Sequence, residues 1–380
     1  MCKQDGKLLT MRIDRTHFGW IWAVILALHS IAFAQQPKHT PDKKLSHKID
    51  QIFSEWNKSN SPGCALAIIK DKQIIYERGY GIANLEYGVP ITPVSAFYVG
   101  SIAKQFTAMS IALLAQEGKL SLDDNIRKYV PEIPDYGTPI TIRQLIHHTS
   151  GLRDFWDLIG QAGRRWDDAY TLKDVIETAA QQKELNCKPG EKHLYSNTGY
   201  MLLAIIVQRA SGQSLREFAD AHIFKPLGML HTRFQDDHSA LIPGRVYGYV
   251  PQEGNSFGVY AINNDLVGAG GLWTTVEDLA RWDANFYSAK VGGQALIQQL
   301  QVPGTGTDGV KFDYAFGLHI DEYKGVKRVR HGGVFAGYRA EMIRFPEKKF
   351  SVAVLCNSSS VTPTKLANEI ADMFLIDQIK

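Results

Sequence analysis

Two periods of apolar residues divide this chain. Leu45 to Lys58 carries the three-to-four-residue spacing of an amphipathic helix. Cys64-Ala65-Leu66-Ala67-Ile68-Ile69 and Gln73-Ile74-Ile75-Tyr76-Glu77 then flank the polar Lys70-Asp71-Lys72, which predicts a β-hairpin. Ile102, Phe106, Met109 and Leu113 return to helical spacing, so the run from Ile102 to Glu117 reads as a buried helix stopped by Gly118. From Leu120 to Asp265 the pattern is mostly helical with many loops: Thr141 to His148, Thr171 to Lys183, Gly199 to Ser211 and Leu215 to Phe224 each read as helix, and Thr274 to Tyr287 follows behind a cap-like Thr275. The last part changes to strands at Phe316–Tyr323, Arg328–His331, Arg339–Phe345 and Phe350–Cys356, with Pro346 to Lys349 as a hairpin connection and Thr364 to Asp377 as a closing helix. Strands at both ends with helices between them predict an α/β (α+β) chain. One antiparallel sheet, flanked by helices, is expected from residues 45–104 and 265–380, with a mostly helical domain inserted over 105–264.

The first residues read differently. Lys3, Lys7, Arg12 and Arg15 precede an apolar run from Phe18 to Ala34 that ends in the small-x-small triplet Ala32-Phe33-Ala34. Residues 1–34 are therefore expected to be an export signal cut before Gln35, followed by a loose leader over 35–44. The expected location is periplasmic or secreted, with residues 18–34 as a retained membrane anchor the alternative. Hydrophobic content of 44%, charged content of 21% and a net charge of +3 are ordinary for a globular protein and give no reason to expect a nucleic-acid partner. Of the four cysteines, Cys64 and Cys356 fall in apolar strand-like runs and are expected to be buried thiols rather than parts of a disulfide framework; Cys187 is the third beyond the signal.

Candidate chemistry lies in three short motifs. Ser101 is the only serine with a lysine, Lys104, three residues on. On a helix the two share a face, and the helix N-terminus favours negative charge, as on a serine alkoxide. A lysine that has lost its proton in a dry pocket can take the serine's proton. Tyr195-Ser196-Asn197 places a phenol that can relay protons beside an amide that can donate to a carbonyl. His331-Gly332-Gly333 puts two glycines in a strand, where another backbone or a substrate can come close. Taken singly, each has an ordinary reading: a capping serine, a loop tyrosine with a helix cap, a β-bulge.

Together and in this order the three motifs resemble those of the serine hydrolases related to penicillin-binding proteins and class C β-lactamases. Leu145-Ile146-His147-His148-Thr149-Ser150-Gly151-Leu152, Pro226-Leu227-Gly228-Met229 and Gly268-Ala269-Gly270-Gly271-Leu272 extend the resemblance to nearly the whole chain beyond the leader. It implies the β-lactamase/transpeptidase-like fold and an acyl-enzyme on Ser101. Lys104 and Tyr195 would share the general-base and proton-return work, and Asn197 would hold the acyl side of the substrate. His331, with Gly333, would line the substrate strand, and the N–H groups of Ser101 and Val334 would form an oxyanion hole. His331 stands where many members have lysine and Gly332 where they have threonine. That departure points towards the esterase- or D-aminopeptidase-like branch, acting on small esters, amides or short peptides, and away from efficient β-lactamase action. A true β-lactamase or D-Ala-D-Ala carboxypeptidase is the alternative within the family. No cofactor or metal is implied: the twelve histidines include no His-Glu-x-x-His.

Two readings of other classes stand beside this one. Gly254-Asn255-Ser256-Phe257-Gly258 matches the nucleophile elbow of α/β-hydrolases, which needs a strand before it and a helix after it. A non-catalytic binding module could keep the fold without turnover.

Overall fold

Both chain ends contribute to one antiparallel sheet. The structure, a computed structural model, describes residues 43–375. The expected export segment, the leader up to residue 42 and the last two residues of the expected closing helix lie outside the described residues. In chain order, α1 (Lys43–Ile52) leads to strands β1 (Cys64–Lys70) and β2 (Gln73–Tyr80). Helices α2 (Lys104–Gln116), α3 (Phe155–Gln161), α4 (Asn197–Ser211) and α5 (Val276–Ser288) follow. Strands β3 (His319–Tyr323), β4 (Val326–Phe335), β5 (Tyr338–Phe345) and β6 (Phe350–Cys356) then lead to α6 (Pro363–Leu375). The order across the sheet is β3-β4-β5-β6-β1-β2, so the first strand lies beside the last.

Successive side chains of a strand point to opposite faces, and β1 follows that rule. Cys64, Leu66 and Ile68 pack with Ile49 of α1 and with Leu366 and Ile370 of α6. Ala65 and Ala67 join Ala353 and Leu355 of β6 in the larger core that includes Leu279 and Trp282 of α5. Small residues on that face let α5 lie close to the sheet. Both faces of β1 and β6 are covered, which is why these strands read as continuous apolar runs rather than as alternation.

Cys64 and Cys356, expected as separate thiols, form a disulfide, and Cys187 is free. Treating each strand alone hides the pairing. The antiparallel register sets the first residue of β1 opposite the last residue of β6, so cysteines 292 residues apart meet with their Cα atoms 4.0 Å apart.

Three further differences bear on the site. The buried helix begins with a 3₁₀ turn, Gly100–Ala103, that contains Ser101. The strand expected over Arg328–His331 runs on to Phe335, so Gly332, Gly333 and Val334 belong to it. An unexpected helix, α3, starts behind Asp154, whose side chain accepts from Trp156 N. Ser256 opens the second strand of an exposed hairpin, Tyr249–Gln252 with Ser256–Val259, and no helix follows it, so the elbow geometry is not formed. Among the described residues no helix is long and apolar enough to cross a membrane.

Candidate active site

Ser101 is held where the 3₁₀ turn meets the inner edge of β4. Val99 N donates to Leu272 O at 3.0 Å and Ile102 N to Val99 O at 3.2 Å, which pins the turn from both sides. Two glycines permit the approach. Gly100 has φ +51°, and a Cβ on it would lie 2.8 Å from Val334 N. A Cβ on Gly333 would lie 1.9 Å from Val99 O, so only glycine fits there. The amides of Ser101 and Val334 are thus brought to the same small space.

Lys104 opens α2, a helix buried all round from Lys104 to Leu114. Its polar residues each have partners: Gln105 accepts from Trp282 Nε1 at 2.9 Å, and Thr107 donates to Gly268 O at 2.8 Å. Lys104 itself is fully buried, and its Nζ lies 3.0 Å from Ser101 Oγ, 2.9 Å from Asn197 Oδ1 and 2.8 Å from Ala269 O. Desolvation lowers its pKa from the ordinary 10.5 to about 7, against a smaller opposing effect of the Asp154 carboxylate. The partners decide what a neutral Lys104 can do. Two of them, a backbone carbonyl and a carboxamide oxygen, only accept hydrogen bonds. A neutral amine gives its two hydrogens to these and is left with a lone pair facing the Ser101 hydroxyl.

The orientation of Asn197 is set by Asp154. Asp154 Oδ2 accepts from Asn197 N at 2.5 Å and from Asn197 Nδ2 at 3.1 Å. The amide nitrogen therefore faces the carboxylate and Oδ1 faces Lys104. Desolvation is the main influence on Asp154 and raises its pKa, while the donated hydrogen bonds favour the charged form.

Tyr195 lies against the same lysine, with Lys104 Nζ 4.8 Å from its ring centroid. Burial of the hydroxyl end pushes its pKa well above the usual phenol range, partly offset by a hydrogen bond with Ser101, although 40% of the residue remains exposed. The protonated form is the stable one, so Tyr195 is available as a donor. His148 holds the Tyr195 segment from both sides. Its carbonyl accepts from Leu194 N at 2.8 Å, and its Nδ1 accepts from Ser196 N at 3.1 Å. Its ring lies 4.1 Å from that of Tyr195. His148 has φ +56°, a left-handed backbone uncommon outside glycine and asparagine. Desolvation, with Lys104 nearby, keeps its imidazole neutral.

His331 sits in the same region but turns inward. Nδ1 is 2.6 Å from Gly332 O, an acceptor, so it carries the hydrogen; Nε2 then accepts from Tyr314 Oη at 2.9 Å. Both ring nitrogens are engaged, and desolvation moves the pKa well below the usual imidazole value. The structure thus brings together Ser101, Lys104, Tyr195 and Asn197, with Gly332, Gly333 and Val334 along one edge and His331 behind them. Asp154, the Tyr195-holding role of His148, and Tyr314 were not read from the sequence. His148 lies inside the 145–152 segment that carried the resemblance, and Asp154 follows that segment by two residues, which was the available signal.

A Ser-x-x-Lys pair where a 3₁₀ turn runs into a buried helix, packed against an antiparallel sheet with Tyr-x-Asn beside it, is the arrangement that the resemblance implied. The match to the beta-lactamase family spans residues 49–373, and the chain belongs to that family. It is 29% identical to a D-aminopeptidase of Gluconobacter oxydans (strain 621H) over 82% of this chain and 58% of that protein. It is 31% identical to a penicillin-binding protein of Bacillus subtilis (strain 168) over 76% of this chain and 66% of that protein. The chain thus spans about three-fifths of the length of these curated relatives. Among solved structures it resembles the octameric penicillin-binding protein homologue from Pyrococcus abyssi, with a TM-score of 0.77 and 31% identity over 87% of this chain and 77% of that one.

Proposed function

We propose that this protein is a serine hydrolase that forms an acyl-enzyme on Ser101 and acts on small amides, short peptides and esters, D-amino-acid peptides among them. The observation that carries this reading is the set of partners around Lys104 Nζ. Two acceptor-only oxygens take its hydrogens, so the lone pair is left for the Ser101 proton. The alkoxide attacks the carbonyl carbon, and the oxyanion faces the N–H groups of Ser101 and Val334. The C–N bond breaks as Tyr195 gives its proton to the leaving nitrogen and is recharged from Lys104. Water then adds to the acyl-enzyme by the same route in reverse, releasing the acid and restoring Ser101. Asn197, held by Asp154, keeps Lys104 aimed and borders the acyl side.

The neutral, inward-turned His331, standing where many members have lysine, offers neither charge nor a free nitrogen, which supports the amide- and ester-directed branch over a β-lactamase that reads its substrate's carboxylate at that position. The Cys64–Cys356 disulfide supports export to an oxidising compartment, in keeping with a signal over residues 1–34. The test is a side-by-side assay of p-nitrophenyl acetate, D- and L-amino-acid amides and nitrocefin. Turnover of esters and amides, weak turnover of nitrocefin and a loss on the order of 10⁴-fold in Ser101→Ala are expected. A tenth or more of the activity remaining in Ser101→Ala contradicts the reading, and a wild type that favours nitrocefin selects the β-lactamase alternative.

A further inference from the structure

Ser101 stands on a ridge between two cavities, and it lines both together with Tyr195 and Val334. The first, of about 390 Å³, is walled by aromatic rings such as Trp156 and Phe335, and its charged lining residues are Asp154 and Asp157. No lysine or arginine lines it. Asp154 is taken up by Asn197 and Trp156 N, whereas Asp157 is exposed and forms no ion pair among the described residues. The second cavity, of about 410 Å³, lies on the triplet side and carries Arg330 and Arg339. Arg330 is paired with Asp321 at 2.8 Å. Arg339 is not paired: its Nη1 donates to the carbonyls of Ala336 and Tyr338, and no carboxylate forms an ion pair with it among the described residues. The one carboxyl group in that cavity, Glu341, is buried, and desolvation pushes it towards its neutral form. The nucleophile therefore lies between a cavity with an unpaired carboxylate and one with an unpaired guanidinium.

We propose that the substrates are short zwitterionic peptides, the first residue's free ammonium lying towards Asp157 and the leaving residue's terminal carboxylate on Arg339. The inference rests on the Ser101 reading above. Chemistry fixes the orientation. The acyl residue carries its ammonium one carbon from the scissile carbonyl, and its side chain finds aromatic walls in the first cavity. The leaving amino acid carries its carboxylate one carbon from the scissile nitrogen. Guanidinium meets carboxylate with paired, charge-assisted hydrogen bonds, and with both Nη1 hydrogens given to carbonyls, the three N–H donors on Nε and Nη2 are the ones available to a ligand. The reaction is plain hydrolysis: acyl–N breaks, acyl–O forms on Ser101, and water releases the acid.

Four forms of one dipeptide with an apolar first residue test this, each made with a D- and an L-first residue: unblocked, N-acetylated, C-amidated and blocked at both ends. In the wild type each block is expected to lower kcat/KM by about tenfold or more, the loss of one charge-assisted contact. Arg339→Gln is expected to remove discrimination against the C-amide and keep that against the N-acetyl form, and Asp157→Asn to do the converse. These are ratios within one protein, so a partly folded variant does not alter them, and the wild-type panel stands without the variants. Losses within about twofold on blocking, or variants that leave both ratios as they are, overturn the proposal. If uncharged p-nitrophenyl acetate is hydrolysed through Ser101 and no dipeptide is, the zwitterion reading falls and the Ser101 reading stands; if neither is hydrolysed, both fall.

Discussion

In the proposed mechanism, Lys104 is the residue on which the chemistry of the site turns, and its burial also bears on stability. Burial brings its pKa to about 7 in the folded chain, against an ordinary 10.5. Between those values the unfolded chain holds a proton that the folded chain has released. Stability due to this group therefore rises with pH across that window, and below about 7 the burial of a charged ammonium is a full cost. His148 holds the Tyr195 segment, and in the proposed mechanism it positions Tyr195 rather than reacting. His148→Gly keeps the left-handed backbone but loses the acceptor for Ser196 N; it is expected to lower kcat by about 10²-fold with KM little changed. His148→Asn tolerates the same φ and returns an oxygen near the place of Nδ1, so it is expected to recover roughly tenfold of that loss. Steady-state kinetics on a single ester substrate checks both. Equal losses in the two variants, or a loss confined to KM, contradict the positioning role.

At the scale of elements, the site exists because β4 passes against the 3₁₀ turn with almost no space between them. Gly333→Ala places a methyl 1.9 Å from the Val99 carbonyl, so one backbone must move. A displacement of about 1 Å at reacting groups costs on the order of 10²-fold. The expected outcome is that loss in kcat/KM in a chain whose circular dichroism remains that of the wild type; activity within about threefold of wild type contradicts the close packing. The sequence made much of this legible. The continuous apolar runs of β1 and β6, the run of β5 and the helical spacing from Ile102 identified their elements because each is buried almost throughout. Ser101, Lys104, Tyr195, Asn197 and the His331 triplet were legible as motifs. Asp154 was not, because a helix cap that also orients an asparagine 43 residues away leaves no periodic trace. The same holds for His148: a histidine in an apolar stretch does not reveal that its ring accepts from a backbone 48 residues on. Gly254 to Gly258 shows the reverse case, a motif whose spacing fits while Ser256 opens a hairpin strand where the elbow needs a helix.

For the whole molecule, the decisive feature is that the chain closes on itself at β1 and β6. The disulfide fastens that closure across 292 residues, so it restrains nearly the whole chain when unfolded. Its removal in a Cys64→Ala, Cys356→Ala double variant is expected to cost about 2–4 kcal/mol. At roughly 1.5 °C per kcal/mol for a chain of this size, Tm should fall by about 3–6 °C in thermal unfolding, and reductant should lower the wild-type Tm while leaving the variant unchanged. Equal Tm values in variant and wild type, with no Cys64–Cys356 peptide in a non-reducing digest, contradict the pairing. The pairing escaped sequence reasoning because it depends on strand order. Strands at both ends were evident, but nothing local says that the first and last become neighbours, and without that the two cysteines look like small apolar residues.

In the proposed mechanism Ser101 is a nucleophile made reactive by a neutral Lys104. The most direct measurement is the rate at which a fluorophosphonate modifies the protein between about pH 5 and about pH 9, followed by intact mass and peptide mapping. A single adduct on Ser101, absent in Ser101→Ala, is expected. Its formation should quicken about tenfold per pH unit on the acid side and level off above a midpoint near 7, the value to which burial brings Lys104. An adduct on another residue such as Ser256, or a rate on Ser101 that does not change through pH 7, contradicts it.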